Sequence, residues 1–129
     1  MSGPSVVPQN EGRWTTPVTL DVFTPLAEAW GLSNDDQMKL LGSPARSSYF
    51  KWKKDNSPLP RDTAERVSNL LAIWKALEIQ FPEQARAEGW IRRPNGFFGG
   101  ASALEVMLAD GAFFDIVRVR QYLDAQRGG

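Results

Sequence analysis

Basic side chains cluster between residues 46 and 61, and they are the first group in the sequence that could do chemistry. This segment holds five Arg or Lys residues and one Asp, a net charge of +4. Residues 1–36 hold one Arg and five acidic residues, a net charge of −4, while the whole chain is neutral. Such an asymmetry concentrates the attraction for polyanions in one place. By itself the cluster fits an ordinary solvated basic helix, and it favours a local phosphate-binding surface only together with the helix signals around it.

The basic cluster coincides with the start and stop signals of two short helices. Ser33 stands three residues before Asp36, a capping box that begins the first helix. Gly42 ends that helix, and Ser43 followed by Pro44 predicts the N-cap and first turn of the second. Two helices joined by such a turn form the helix-turn-helix unit, whose second helix enters the major groove of DNA.

Two faces are predicted for the second helix, which runs to about Lys54. Ala45, Tyr49 and Trp52 follow one another at i, i+4 and i+7 and form its packed stripe. Arg binds guanine with two hydrogen bonds and Lys binds phosphates, so the opposite face suits DNA. The candidate DNA contacts on that face are Arg46, Ser47, Phe50, Lys51, Lys53 and Lys54. Because paired modules read two half-sites, we expect a homodimer.

Several classes of protein are excluded by composition. The sequence has neither Cys nor His, which removes disulfides, thiol nucleophiles, His-based triads and zinc sites of the Cys/His type. Asp110 and Asp115 could mimic a catalytic acid and base, but helix-end and surface roles explain both. Enzymes built on Asp, Glu, Lys or Tyr remain possible by composition, but nothing else in the sequence indicates one, so we expect no enzyme, no cofactor and no metal site. No apolar run approaches the roughly 20 residues that cross a bilayer, and no signal peptide is evident, so we expect a cytoplasmic protein without membrane contact.

All predicted elements are helical, and they divide the chain into four parts. The parts are a flexible tail (1–17), the helix-turn-helix region (18–61), a long connecting or dimerisation helix (62–82) and a second binding region (83–129). Apolar residues at four-residue spacing predict the first helix: Val18, Val22, Leu26 and Trp30. Pro25 either kinks this helix or begins it.

The long helix is predicted to start with Asp62 as its cap and to end at Pro82. Its main apolar stripe is Val67, Leu70, Leu71, Trp74, Leu77 and Phe81. A second apolar side carries Ala72, Ile73, Ala76 and Ile79. That side fits either a dimer interface or burial within the monomer.

Aromatic and basic residues also crowd a segment rich in Gly and Pro near residue 95. They are Trp90, Arg92, Arg93, Asn95, Phe97 and Phe98. Aromatic and Arg side chains dominate the hot spots of protein interfaces, which favours binding over catalysis here. The alternative is an irregular loop whose aromatic rings fill the local core. Residues 90–92 could form a short extended piece.

Two helices are predicted after this segment. Ser102 with Glu105 opens a capped helix that ends at Gly111. A final helix follows over about 112–126. Its core positions are predicted to be Phe113, Val117 and Tyr122 or Leu123.

Two stretches resemble a known family. The segment GWIRRPNGFFGG over 89–100, followed by Ser102-Ala103-Leu104, then Val117-Arg118 and Tyr122-Leu123, resembles the toxin-binding region of the Xre/MbcA/ParS antitoxins. The segment from Leu40 through Trp52, followed by Leu59-Pro60, is similar to the Xre-type helix-turn-helix that precedes it in that family. The two halves in this order cover about Val18 to the end of the sequence.

The resemblance implies an all-α antitoxin of a type II toxin–antitoxin system, with an N-terminal helix-turn-helix bundle and a small helical toxin-binding domain. Its usual partner is a RES-domain toxin, an NAD-degrading or ADP-ribosylating enzyme whose active site the C-terminal region covers. The N-terminal unit is expected to bind the promoter of its own operon, as dimers within a larger complex. The implied toxin contacts are Trp90, Arg92, Arg93, Asn95, Arg127, Gly128 and Gly129. The alternative is a stand-alone transcriptional regulator whose C-terminal region dimerises or senses a ligand.

Overall fold

Seven α-helices form the part of the chain that a computed structural model describes, residues 17–128, with side chains through Gln126. They are α1 (Thr24–Ala29), α2 (Asn34–Leu40), α3 (Arg46–Asp55), α4 (Arg61–Gln80), α5 (Gln84–Trp90), α6 (Ala103–Asp110) and α7 (Phe113–Gly128). Two 3₁₀ turns lie at Leu20–Val22 and Gly96–Phe98. The all-α prediction is confirmed. The predicted tail, apart from Pro17, lies outside the described residues.

Helix α4 is the central element of the fold. Its 20 residues span about 30 Å and pack along α7 and against α5, while α2 lies against α6. Val67, Leu70 and Leu77 of α4 are fully buried in one apolar cluster that also contains Leu40 of α2 and Ile116 of α7. The helix-turn-helix region and the C-terminal region therefore share a core built on α4.

Arg66 of α4 ties two helix ends together. Its Nη1 donates to the carbonyl of Gly111 at 2.8 Å and to that of Leu40 at 3.3 Å, at the C-termini of α6 and α2. The last carbonyls of a helix lack partners within the helix and carry partial negative charge, so this half-buried guanidinium satisfies both ends at once.

The first helix is shorter than its apolar spacing predicts. Helix α1 has six residues, and Pro25 lies in its first turn, so the proline begins the helix and does not kink it. Leu26 and Trp30 are buried as expected, but Val22 lies in the preceding 3₁₀ turn and is 43% exposed. Of the two alternatives, the one in which Pro25 begins the helix is therefore found, and Val18 lies before it, because proline cannot donate the backbone hydrogen bond that an interior turn requires.

The turn between α2 and α3 differs in one detail from the sequence prediction. The Ser33–Asp36 capping box is present and begins α2. Ser43, however, does not cap α3. It adopts φ +56°, and its N–H donates to the Met38 carbonyl at 2.8 Å, which closes the C-terminus of α2. Helix α3 begins at Arg46, and no side chain caps its first amides.

The long helix also begins differently from the prediction. Pro60 is its N-cap, and Asp62 lies in the first turn, where a carboxylate suits the helix dipole. On its second apolar side, Ile73 and Ala76 are buried within the monomer, whereas Ile79 is 53% exposed. Burial inside the monomer therefore explains most of that side.

Residues 84–90 form a helix that the sequence did not suggest. Ile91, which follows α5, has φ −62° and ψ −25° and is fully buried, so the predicted extended piece over 90–92 is wrong. Helix α5 was missed because it is short and polar and contains Gly89. Its only fully buried side chain among residues 84–90 is Ala87, which gives no periodic apolar signal.

The last two helices follow the predicted order but not the predicted faces. The Ser102–Glu105 capping box begins α6, and Gly111 ends it at φ +65°. Helix α7 buries Ile116, Val119 and Leu123 at i, i+3 and i+7. The predicted core residue Phe113 is 40% exposed and Val117 is half-buried, since α7 turns the 116–119–123 stripe inward.

Gly111→Ala is expected to lower the free energy of unfolding by about 1–2 kcal/mol, because an L side chain is strained at positive φ. The new Cβ would also lie 3.1 Å from the Lys39 carbonyl oxygen. Gly96→Ala is the matched control, since its Cβ would meet no atom within 4 Å. Chemical denaturation measures both variants. Equal stability of the two would contradict this account of the α6–α7 turn.

Candidate DNA and protein interfaces

One face of α3 is exposed along its whole length. The six candidate DNA contacts are all on exposed positions: Arg46, Ser47, Phe50, Lys51, Lys53 and Lys54. Tyr49 is fully buried and Trp52 is 8% exposed, as the predicted packed stripe requires. Ala45 lies just outside the helix and is exposed, because α3 begins one residue later. The structure therefore gathers the six residues on one accessible helix.

Helix α2 fixes the orientation of α3 through Tyr49. The Tyr49 hydroxyl donates to Asn34 Oδ1 at 2.9 Å and lies 3.1 Å from Gln37 Oε1. Burial raises the pKa of Tyr49, which keeps this hydroxyl protonated as a donor. Lys53 Nζ donates to the same Asn34 oxygen at 3.2 Å and lies 5.5 Å from the Tyr49 ring centre. These contacts hold α3 against α2 and so set the direction in which its exposed face points.

The charges on this face differ in how they are paired. Lys51 Nζ lies 2.7 Å from Asp55 Oδ2, and hydrogen bonds from Lys51 and Ser57 lower the Asp55 pKa to about 2. Asp55 therefore stays ionised near neutral pH and offsets part of the Lys51 charge. Arg46 makes only a long, exposed contact of 3.5 Å with Asp35. Lys54 pairs with no carboxylate within residues 17–128.

A cluster of aromatic rings forms a second exposed feature, in the C-terminal region. Phe97, 54% exposed, packs 4.4 Å from Tyr122 and edge-on at 5.1 Å from Phe98, measured between ring centres. The Trp90 ring stacks on the Tyr122 ring, with 6.3 Å between the ring centres. The Arg118 guanidinium lies 5.7 Å and 5.5 Å from the Phe97 and Phe98 ring centres. These five residues are called the aromatic cluster below.

Both features match regions of known proteins. A family model described as the antitoxin Xre-like helix-turn-helix domain matches residues 17–72, and one described as the antitoxin Xre/MbcA/ParS C-terminal toxin-binding domain matches residues 76–129. The chain belongs to the Xre/MbcA/ParS antitoxin family. It is also 62% identical, over 113 residues, to the uncharacterized protein y4oB of Sinorhizobium fredii. That similarity covers 88% of this chain and 87% of the relative.

The family assignment confirms the resemblance seen in the sequence and gives the two features their context. The helix-turn-helix match contains α3, and the toxin-binding match contains the whole aromatic cluster. The boundary between the two matches falls inside α4, so this helix serves both regions of the antitoxin.

Two of the expected toxin contacts make internal bonds in the antitoxin. The guanidinium of Arg92 donates to the Trp30 carbonyl at 2.8 Å and 3.1 Å and to the Gly31 carbonyl at 3.1 Å, at the C-terminus of α1. Asn95 Oδ1 accepts from the Phe97 N–H at 2.9 Å and starts the 3₁₀ turn that presents that ring. Both side chains therefore position the loop, whatever they contact in a complex.

The remaining expected toxin contacts fall into three groups. Trp90 is half-buried within the aromatic cluster, and Arg93 is exposed. Gly128 ends α7. The Arg127 side chain and Gly129 lie outside the described residues.

Two members of the aromatic cluster come from α7 and are not among the implied toxin contacts. Arg118 and Tyr122 join the cluster about 20 residues after the loop they contact. Both belong to the stretches that carry the family resemblance, but no local pattern links them to Phe97. A further exposed aromatic residue, Phe114, is 70% exposed at the start of α7. Within residues 17–128 no group of His, Cys, Asp or Glu has the arrangement of a metal site, and no helix is long and apolar enough to span a membrane.

Proposed function

We propose that this antitoxin neutralises a RES-domain toxin by covering its active site with the C-terminal region, and represses its own operon through α3. It acts in the cytoplasm as a homodimer within a larger toxin–antitoxin complex, as an inhibitor and repressor without catalysis of its own. The observation that carries the proposal is the presence in one chain of two separate exposed surfaces. One is the basic face of α3 and the other is the aromatic cluster.

The DNA-binding part of the proposal is supported by the separation of α3 into a packed side and an exposed basic side. Its packed residue Tyr49 is hydrogen-bonded to α2, while its six candidate contacts are exposed. Segment 46–61 carries a net charge of +4 in a neutral chain. Since the first amides of α3 have no side-chain cap, they remain available to a phosphate oxygen, which helix N-termini bind well.

The toxin-binding part is supported by the aromatic cluster. Aromatic residues, phenylalanine among them, and arginine are enriched at the centres of protein interfaces. Phe97 is backed by Tyr122 and Phe98, so it would lose little side-chain freedom on binding. The RES identity of the toxin follows from the resemblance to RES-associated family members, and so does the covering of its active site.

Co-purification tests the proposal. The antitoxin gene is expressed with the neighbouring reading frame, with an affinity tag on the neighbouring product only. We expect a stable complex of the two proteins and NAD loss in cells only when the antitoxin is absent. A mass measurement of the complex gives its stoichiometry and tests the homodimer. No association with an adjacent RES-domain product, and no protection from it, would favour the stand-alone regulator instead.

A further inference from the structure

Arg46 and Phe50 form a pair in the N-terminal half of α3. Arg46 is the first residue of the helix, and Phe50 follows one turn later on the same exposed face. In helix-turn-helix proteins the N-terminal residues of the second helix contact bases, while flanking groups contact phosphates. Lys53 and Lys54 lie at the opposite end of α3, which suits phosphate contacts.

Phe50 is an apolar ring on an otherwise polar surface. It is 40% exposed and adds nothing to the buried core, while Ser47, Lys51 and Lys54 surround it on the exposed face. The Tyr49 ring meets it edge-on at 5.0 Å between centres. Because the Tyr49 hydroxyl is bonded to α2, this contact gives the Phe50 ring a well-held neighbour on one side.

Arg46 is held over the same ring. Its guanidinium carbon lies 5.4 Å from the Phe50 ring centre. The contact of Arg46 with Asp35 is exposed at both side chains, so DNA can replace it at little cost. The pair therefore places a hydrogen-bond fork and an apolar ring within about two base steps of each other, at 3.4 Å per step.

We propose that Arg46 and Phe50 read a guanine and a thymine that lie within two base steps of each other in each half-site. Arg46 donates to the guanine O6 and N7, and the Phe50 ring contacts the C5-methyl group of the thymine. The thymine methyl is the apolar group that the bases display in the major groove, and arginine with guanine is the commonest specific contact there. The proposal rests on the DNA-binding part of the proposed function.

The first experiment asks whether a thymine methyl is read. Duplexes are selected from a random pool with the full-length antitoxin, alone and in complex with its toxin. Each thymine of the enriched site is then replaced by deoxyuridine, which lacks the methyl. Loss of one methyl contact per half-site corresponds to about fourfold, so a dimer should lose about fifteenfold in affinity at one symmetric pair of thymines. The Phe50→Ala variant should bind the thymine and deoxyuridine duplexes equally.

The second experiment asks whether Arg46 reads the guanine. Replacing guanine by 7-deazaguanine removes the N7 acceptor and should weaken binding of the wild type at one symmetric position. Arg46→Ala should be indifferent to that change. Phe50→Leu, which keeps an apolar side chain, should retain part of the preference for thymine over deoxyuridine. Lys53→Ala/Lys54→Ala should bind more weakly while keeping both preferences.

The outcomes separate this inference from the proposed function. Selection of a motif that is insensitive to deoxyuridine at every thymine overturns the inference and leaves DNA binding intact. So does a Phe50→Ala variant that folds, as shown by its circular dichroism and unfolding temperature, and still prefers thymine. Failure of the antitoxin to retain any duplex, with or without toxin, overturns the inference together with the DNA-binding part of the proposed function.

Discussion

Phe97→Asp is expected to abolish neutralisation of the toxin, with a loss of at least about 100-fold in affinity for it. Truncation of a hot-spot residue costs 2 kcal/mol or more, and about 1.4 kcal/mol is a factor of ten. Aspartate also places a desolvated carboxylate at the contact, which adds to the cost. Because Phe97 is 54% exposed, the substitution should leave the fold intact. Calorimetry with the inactive toxin measures the affinity, and growth of cells that co-express both proteins measures neutralisation.

Phe114→Asp is the matched control for this prediction. Phe114 is more exposed than Phe97, at 70%, and belongs to the same C-terminal region but not to the aromatic cluster. We expect it to keep neutralisation within a few-fold of the wild type. If Phe114→Asp releases the toxin and Phe97→Asp does not, the toxin surface lies at the start of α7 and the aromatic cluster only packs the loop.

Lys53→Ala/Lys54→Ala is expected to remove most of the affinity for promoter DNA while toxin neutralisation survives. Each lysine that contacts a phosphate releases about one counterion, so a homodimer should lose about four counterions. The slope of log affinity against log salt should therefore fall in magnitude by about four. The loss should be similar for promoter and unrelated DNA, since phosphate contacts carry no sequence information. Fluorescence anisotropy over a salt series measures both quantities.

The control for charge is Lys75→Ala/Arg86→Ala, which removes two exposed positive charges from α4 and α5. We expect its salt slope to equal that of the wild type. An unchanged slope in Lys53→Ala/Lys54→Ala would place the phosphate contacts elsewhere. Simultaneous loss of neutralisation in that variant would show that the two surfaces do not act separately. The shared core around α4 is the physical route by which a change in α3 could affect the aromatic cluster.

The order of the helices could be read from local patterns. The capping boxes at Ser33 and Ser102 are bonds between residues three apart, and the helix stop at Gly111 rests on the left-handed conformation that glycine adopts, so the local sequence contains all that is needed. The division of α3 into a packed and an exposed face is also local, because helical spacing alone separates Tyr49 and Trp52 from the basic residues.

Local signals failed where two segments competed for the same residue. Ser43 has the residue type of an N-cap, yet its backbone is left-handed at φ +56° and its N–H closes the end of α2, so α3 begins three residues later. In α7 several faces carry apolar residues, and only contact with α4 decides that Ile116, Val119 and Leu123 turn inward. The sequence predicted that these helices exist, and tertiary packing chose their faces.

The sequence by itself determined the helical class, the family resemblance and the basic face of α3, because periodicity, capping and charge are properties of neighbouring residues. Only the tertiary structure decided which loop residues remain available to a partner. Arg92 is bonded to the end of α1, some 60 residues earlier, while Phe97 is supported by Tyr122 and Arg118 from α7. Whether a side chain is engaged or exposed depends on contacts between distant segments, and those contacts form only when the core assembles.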